Sequence, residues 1–189
     1  MPSHHTPSRR RPFPGWPWVA VAFAFPVAGY IGWRVSGPVD TVAAALIGGA
    51  ITAAGLAAVQ WWAARGTLGR AAPWITAGAA GYAAGLAAGA ALVGYNTDLG
   101  SLALMGLVSG ASLGVAQGLV LAHQGQRGLA AAWAAAMPVL FGLGWIPSTA
   151  IGVNVEEQFT VFGAAGALLF MVLSGLVVAR FTPSSAQVA

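Results

Sequence analysis

The chain of 189 residues is 58% hydrophobic and only 6% charged, the balance of a multi-pass membrane protein and not of a soluble domain. It has no cysteine, which excludes disulfides, thiolate nucleophiles, thiolate metal sites and palmitoylation. The formal net charge is +4, with no lysine and eight arginines, and the arginines flank apolar segments instead of forming a patch on a water-exposed face, which excludes a nucleic-acid surface and makes the charge a matter of topology.

Residues 1–15, MPSHHTPSRRRPFPG, are polar, proline-rich and basic, and cannot bury enough apolar surface to fold alone. They read as a cytoplasmic tail, as do residues 182–189. An arginine triplet before an apolar run has the look of a secretory leader. The pattern of that run recurs later in the chain, however, so it is read as a retained helix. Six apolar segments are predicted as helices, at 16–33, 42–64, 74–95, 101–122, 129–153 and 159–179. Each is ~20 residues long, enough at ~1.5 Å rise per residue to cross a ~30 Å hydrocarbon layer. Pro26 falls in the first, and Pro138 and Pro147 in the fifth. Each deletes a backbone hydrogen bond and favours a kink, so the fifth segment is a candidate for a break near Gly144 to Pro147.

With six crossings, Arg9, Arg10, Arg11, Arg65, Arg70, Arg127 and Arg180 share one side and Arg34 alone takes the other. The positive-inside rule then makes both termini cytoplasmic. Asp40, Asp98, Glu156 and Glu157 fall on the outer side. Trp16, Trp18, Trp61, Trp62, Trp74 and Trp133 near the inner boundary, with Trp33 and Trp145 near the outer one, read as interfacial belts. Abundant alanine and glycine without lysine suggest a GC-rich bacterial genome, hence a bacterial inner membrane.

The segments repeat in pairs. Gly49, Gly106 and Gly163 are spaced by 57 residues, as are Gln60, Gln117 and Ser174, while Trp18, Trp74 and Trp133 each precede a glycine, Gly29, Gly85 and Gly144, by 11. The acids Asp40, Asp98 and Glu156 recur at 58. The expected fold is therefore all-α and integral to the membrane. It has six transmembrane helices, arranged as three helical hairpins at 16–65, 73–123 and 129–180 with approximate threefold symmetry about the membrane normal, as parallel repeats have. Within it Gly106, Gly110, Gly114 and Gly118 strip one face of the fourth helix to backbone, and Gly81, Gly85 and Gly89 do the same for the third. Small-residue faces let helices approach closely where lipid tails give no hydrophobic drive. Helices three and four are expected to be the tightest pair.

Three groups could carry chemistry. Asp40, Asp98 and Glu156, with Glu157, could form an acidic ring at an outer mouth. Alternatively each acid caps the start of an even helix. Gln60, Gln117 and Ser174 could form a polar constriction or simply hydrogen bond between helices. Glu156 and Glu157 could split their pKa values and act as acid and base. VEEQF resembles the acidic motif of membrane lycopene cyclases over five residues and lacks the rest of that pattern. His4, His5 and His123 all fall on the side away from the acids, so no Ser/His/Asp relay is expected. There is no metal-ligand spacing, phosphate loop or nucleotide fingerprint, and no cofactor is expected. No ionizable residue lies deep in an apolar segment, which disfavours proton- or ion-coupled transport.

The strings GLAAVQWWAAR at 55–65 and LGVAQGLVLAH at 113–123 resemble uncharacterized bacterial multi-pass proteins built from repeated glycine-rich hairpins with an AQW-type string. Gly118 and His123 stand where that pattern has tryptophan and arginine. The resemblance implies topology and brings no activity. The sequence points first to a non-catalytic scaffold or accessory subunit that binds lipid, a membrane partner or a second copy of itself. A passive channel or small-solute permease with an acidic mouth comes second, and an outer-leaflet lipid-modifying or isoprenoid-cyclizing enzyme third.

Overall fold

A computed structural model describes residues 16–181; the tails read at 1–15 and 182–189 lie outside the described residues. Six α-helices follow one another: α1 (Val19–Ser36), α2 (Val42–Ala64), α3 (Ala71–Leu92), α4 (Leu99–His123), α5 (Arg127–Ala150) and α6 (Ala164–Phe181), with a 3₁₀ turn at Val155–Glu157. All six are long and apolar enough to cross a membrane, and no strand occurs among the described residues. Leucine- and alanine-rich runs supply the helical propensity. Stops come from local chemistry: Gly37 ends α1 at φ 78° and Gly125 turns the chain after α4 at φ 80°, conformations that cost a side chain bearing Cβ. Thr41 opens α2 by accepting the Ala44 N–H at 3.2 Å. The fifth helix runs unbroken through Gly144 and Pro147.

Each helix packs antiparallel on its sequence neighbour, and α6 returns to α1, so the six close into a ring. All connections at one end (37–41, 93–98 and 151–163) carry the acids, and those at the other (65–70 and 124–126) carry Arg65 and Arg70, with His123 and Arg127 alongside. The interior is filled. Phe25 lies 4.8 Å from Phe170 and 5.0 Å from Phe162, ring centre to ring centre, and Phe141 lies 5.2 Å from Tyr82 and 5.3 Å from Phe170. The Phe25–Phe162 pair is stacked, and the others are tilted or edge-on, arrangements within the range that aromatic quadrupoles favour.

The most extensive interface is α4 with α5, and α3 with α4 comes second, so the expectation that helices three and four form the tightest pair is corrected. The reason is which way the glycines face. A Cβ on Gly106 would lie 2.5 Å from the Phe141 carbonyl oxygen, and one on Gly110 would lie 2.8 Å from Pro138 Cα. Gly114 would meet Met137 Cβ at 2.9 Å and Gly118 the Ala130 carbonyl oxygen at 3.2 Å. That whole stripe therefore receives α5. Gly81, Gly85 and Gly89 of α3 instead receive the other face of α4, against Ser112, Ser109 and Met105.

The sixth helix begins at Ala164, five residues later than the predicted start at 159. Residues 158–163 leave the helix because their polar backbone and Thr160 are bonded to the walls of the ring.

Candidate functional site

Gln158 stands where the three acid-end connections meet, in the left-handed conformation at φ 49°. Its carbonyl oxygen accepts the Val39 N–H at 3.0 Å, and its side-chain amide donates to the Tyr95 carbonyl at 2.9 Å. One residue thus ties the α1–α2 loop to the α3–α4 loop. Trp33 donates its indole N–H to the Glu157 carbonyl at 3.0 Å and packs on Phe159 with ring centres 5.4 Å apart. From this anchor the chain turns into the ring.

Thr160 is fully buried. Its hydroxyl donates to the Gly29 carbonyl at 3.1 Å and stands 2.8 Å from the Thr52 hydroxyl. Either hydroxyl can be the donor in that contact, and Thr52 also has the Ala28 carbonyl within reach as an acceptor at 3.3 Å. The Tyr82 hydroxyl donates to the Thr160 carbonyl at 2.6 Å. Helices α1, α2 and α3 therefore satisfy one non-helical residue between them. Thr52 lies ten residues into α2, about 15 Å along it at ~1.5 Å per residue. Residues 158–163 are a re-entrant plug in the acid-bearing mouth of the ring, with Val161 and Phe162 filling the space behind Thr160.

Beneath the plug lies a cavity of about 10 Å³ lined by Thr52, Gln60, Tyr82, Gln117, Leu113, Phe141 and neighbouring alanines, room for about one water molecule. Gln60 and Gln117 share it; Ser174 lies outside its lining. Of the three residues read as a constriction, two therefore face one small internal space, too narrow here for a path. Gln117 accepts the Trp133 indole N–H at 2.9 Å, and Ser174 donates to the Met171 carbonyl at 3.4 Å.

The tryptophans correct the belt reading. Trp18, Trp74, Trp133 and Trp145 are buried inside the ring, whereas Trp16 and Trp62 are exposed. Trp18 donates to the Met171 carbonyl at 3.1 Å. Trp74 packs on Trp133 with ring centres 5.5 Å apart, and its indole nitrogen is the one buried side-chain polar atom without a hydrogen-bond partner among the described residues. Their recurrence in phase with the small-residue faces was the available signal that they point inward.

The acids are all exposed. Asp98 caps α4, accepting the Ser101 N–H at 3.0 Å and the Ser101 hydroxyl at 2.5 Å. The hydroxyl bond first, and the backbone bond second, hold its carboxyl below the ordinary aspartate value. Capping does not extend to the others. Thr41, not Asp40, opens α2, and Glu156 and Glu157 lie on the 3₁₀ turn, well before α6. Glu157 takes a 3.4 Å contact from the Asn154 amide. Among the described residues no cluster of His, Asp and Glu could hold a metal ion.

At the opposite end, Gln126 donates to the Thr67 carbonyl at 2.6 Å and Gln124 to the Leu68 carbonyl at 3.5 Å, clasping the two short loops together. Beside the clasp runs an open groove of about 340 Å³ lined by Arg70, Pro73, Leu119, Val120, His123 and Gln124. Comparison with protein-family models, curated proteins and solved structures gives no match to this chain.

Proposed function

We propose that this is a non-catalytic integral protein of the bacterial inner membrane, a scaffold or accessory subunit that binds lipid or a membrane partner. The observation that carries the reading is an interior occupied by side chains. Six apolar helices close into a ring whose internal cavity has room for about one water. No Asp, Glu, Arg or His is buried among the described residues, whereas ion-coupled transport and acid–base catalysis within a bilayer call for one.

The positive-inside rule sets Arg65, Arg70, Arg127 and Arg180 toward the cytoplasm and the plug outward. A three-hairpin repeat about the membrane normal is supported by the tryptophans. Trp133 on α5 bonds to Gln117 on the preceding α4. Trp18 on α1 packs against Gly175, next to Ser174, on the α6 that closes the ring. Gly78 on α3 approaches Ala57 on α2, and the antiparallel register one turn along brings Trp74 level with Gln60.

A second reading, a passive channel for a small neutral solute, is favoured by one observation. Gln158, Thr160, Thr52, Tyr82, Gln60 and Gln117 make a polar column from the plug to the central cavity. In that reading the plug is the closed gate. Native mass spectrometry of gently extracted protein separates the two. A stoichiometric protein partner or retained lipid supports the scaffold; a retained small solute, with neither, supports the channel.

A further inference from the structure

We propose that the groove between the start of α3 and the end of α4 seats an anionic phospholipid, its phosphate between Arg70 and His123 and its acyl chain along Pro73, Leu119 and Val120. The inference rests on the membrane reading above and deepens its lipid-binding part. Four features of the groove select this occupant.

The groove is about 340 Å³, open on one side and mostly apolar, yet it has two basic residues at its rim. That is the shape of a headgroup joined to a chain. A soluble anion would use the basic rim and leave the apolar floor uncovered. Second, every carboxylate of the described residues lies at the other end of the ring. Among the described residues no carboxylate neutralizes this end, where Arg65, Arg127 and Arg180 add to the positive field. Third, Arg70 occupies the N-cap position of α3, and no side chain caps that helix. The first-turn amides are left for an external acceptor, and the dipole of α3 adds positive potential at the same point. Fourth, the depth is right. The polar rim sits at the helix ends, and the apolar lining of α4 continues from it along exposed Leu119 and Val115. Basic pockets between membrane helices on the cytoplasmic side are known to take anionic headgroups in this way.

The test uses the intact protein in nanodiscs made with equal phosphatidylglycerol and phosphatidylcholine, released and weighed by native mass spectrometry. Wild-type protein is expected to retain phosphatidylglycerol preferentially, with one copy held most strongly. Arg70→Gln should weaken that retention about fivefold, and Arg70→Gln with His123→Gln further, without a change in thermal unfolding, since both side chains are exposed. Arg180→Gln, at the same end but outside the groove, serves as the control. Retention indifferent to headgroup charge, or lowered equally by Arg180→Gln, overturns the proposal and leaves the scaffold reading standing. Folded protein that retains no lipid of either kind overturns both the groove and the lipid-binding part of that reading.

Discussion

A tryptophan and a glutamine recur together in this chain, and one pair is joined where another is not. Trp133 donates to Gln117, while Trp74 is buried with its indole nitrogen unpartnered. Replacing each tryptophan by phenylalanine removes the same volume but different hydrogen bonds. Trp133→Phe strands a buried acceptor and should cost about 1–3 kcal/mol more than Trp74→Phe, which removes a donor that bonds to nothing. Thermal unfolding in a mild detergent reads the difference, and equal destabilization would show that Trp74 has an acceptor after all. Asp98 gives a pH-dependent counterpart. Its carboxyl titrates lower in the folded chain, so its capping contribution is complete above the ordinary aspartate range near pH ~4 and fades as the pH falls below it. The protection of the Gly100 to Leu102 amides, taken relative to the intrinsic exchange rate at each pH, should fall on acidification in the native protein. In Asp98→Asn, which keeps a capping oxygen without the charge, that dependence should disappear. The positions of these residues were legible as spacings. Their inward direction was not, because a tryptophan within about two turns of a helix end satisfies a belt and a core equally well until neighbouring helices are placed.

At the scale of elements, close approach sets the order of the interfaces. A methyl on Gly110 would press into the backbone of Met137 and Pro138, whereas one on Gly118 would meet Ala130 at 3.2 Å and the yielding Ala134 methyl at 3.4 Å. Gly110→Ala is therefore expected to cost about 1–3 kcal/mol and Gly118→Ala under about 1; equal effects in thermal unfolding would contradict the α4–α5 assignment. The plug has its own signature. Thr160→Val removes the donor to Gly29 and the hydroxyl partner of Thr52, at about 1 kcal/mol. Amides of 158–163 should lose exchange protection while those of α4 and α5 keep theirs. Helix number and the small-residue faces could be read from the sequence, since length, hydropathy and four-residue glycine spacing are local properties. The partner of each face could not, because α4 is small along two sides and the period alone favours neither neighbour. The late start of α6 was hidden for a similar reason: FTVFG is apolar enough to extend a helix, and only the Thr52, Tyr82 and Gly29 partners of Thr160 hold it out of one.

At the scale of the whole ring, the filled axis and the plug describe a body with a closed interior and an apolar outer surface, which the proposed membrane reading sets against lipid. Exposed Phe23, Val27, Leu119, Val139, Val172 and Leu176 suit that surface, and among the described residues the gathering of all four acids at one end and of every arginine but Arg34 at the other suits one orientation across it. The most direct test is flux through liposomes holding the purified protein. Glycerol and potassium entry should match that of protein-free vesicles. Saturable entry that falls when Asp40, Asp98 and Glu156 are changed to amides would contradict the closed scaffold and establish a path through the axis.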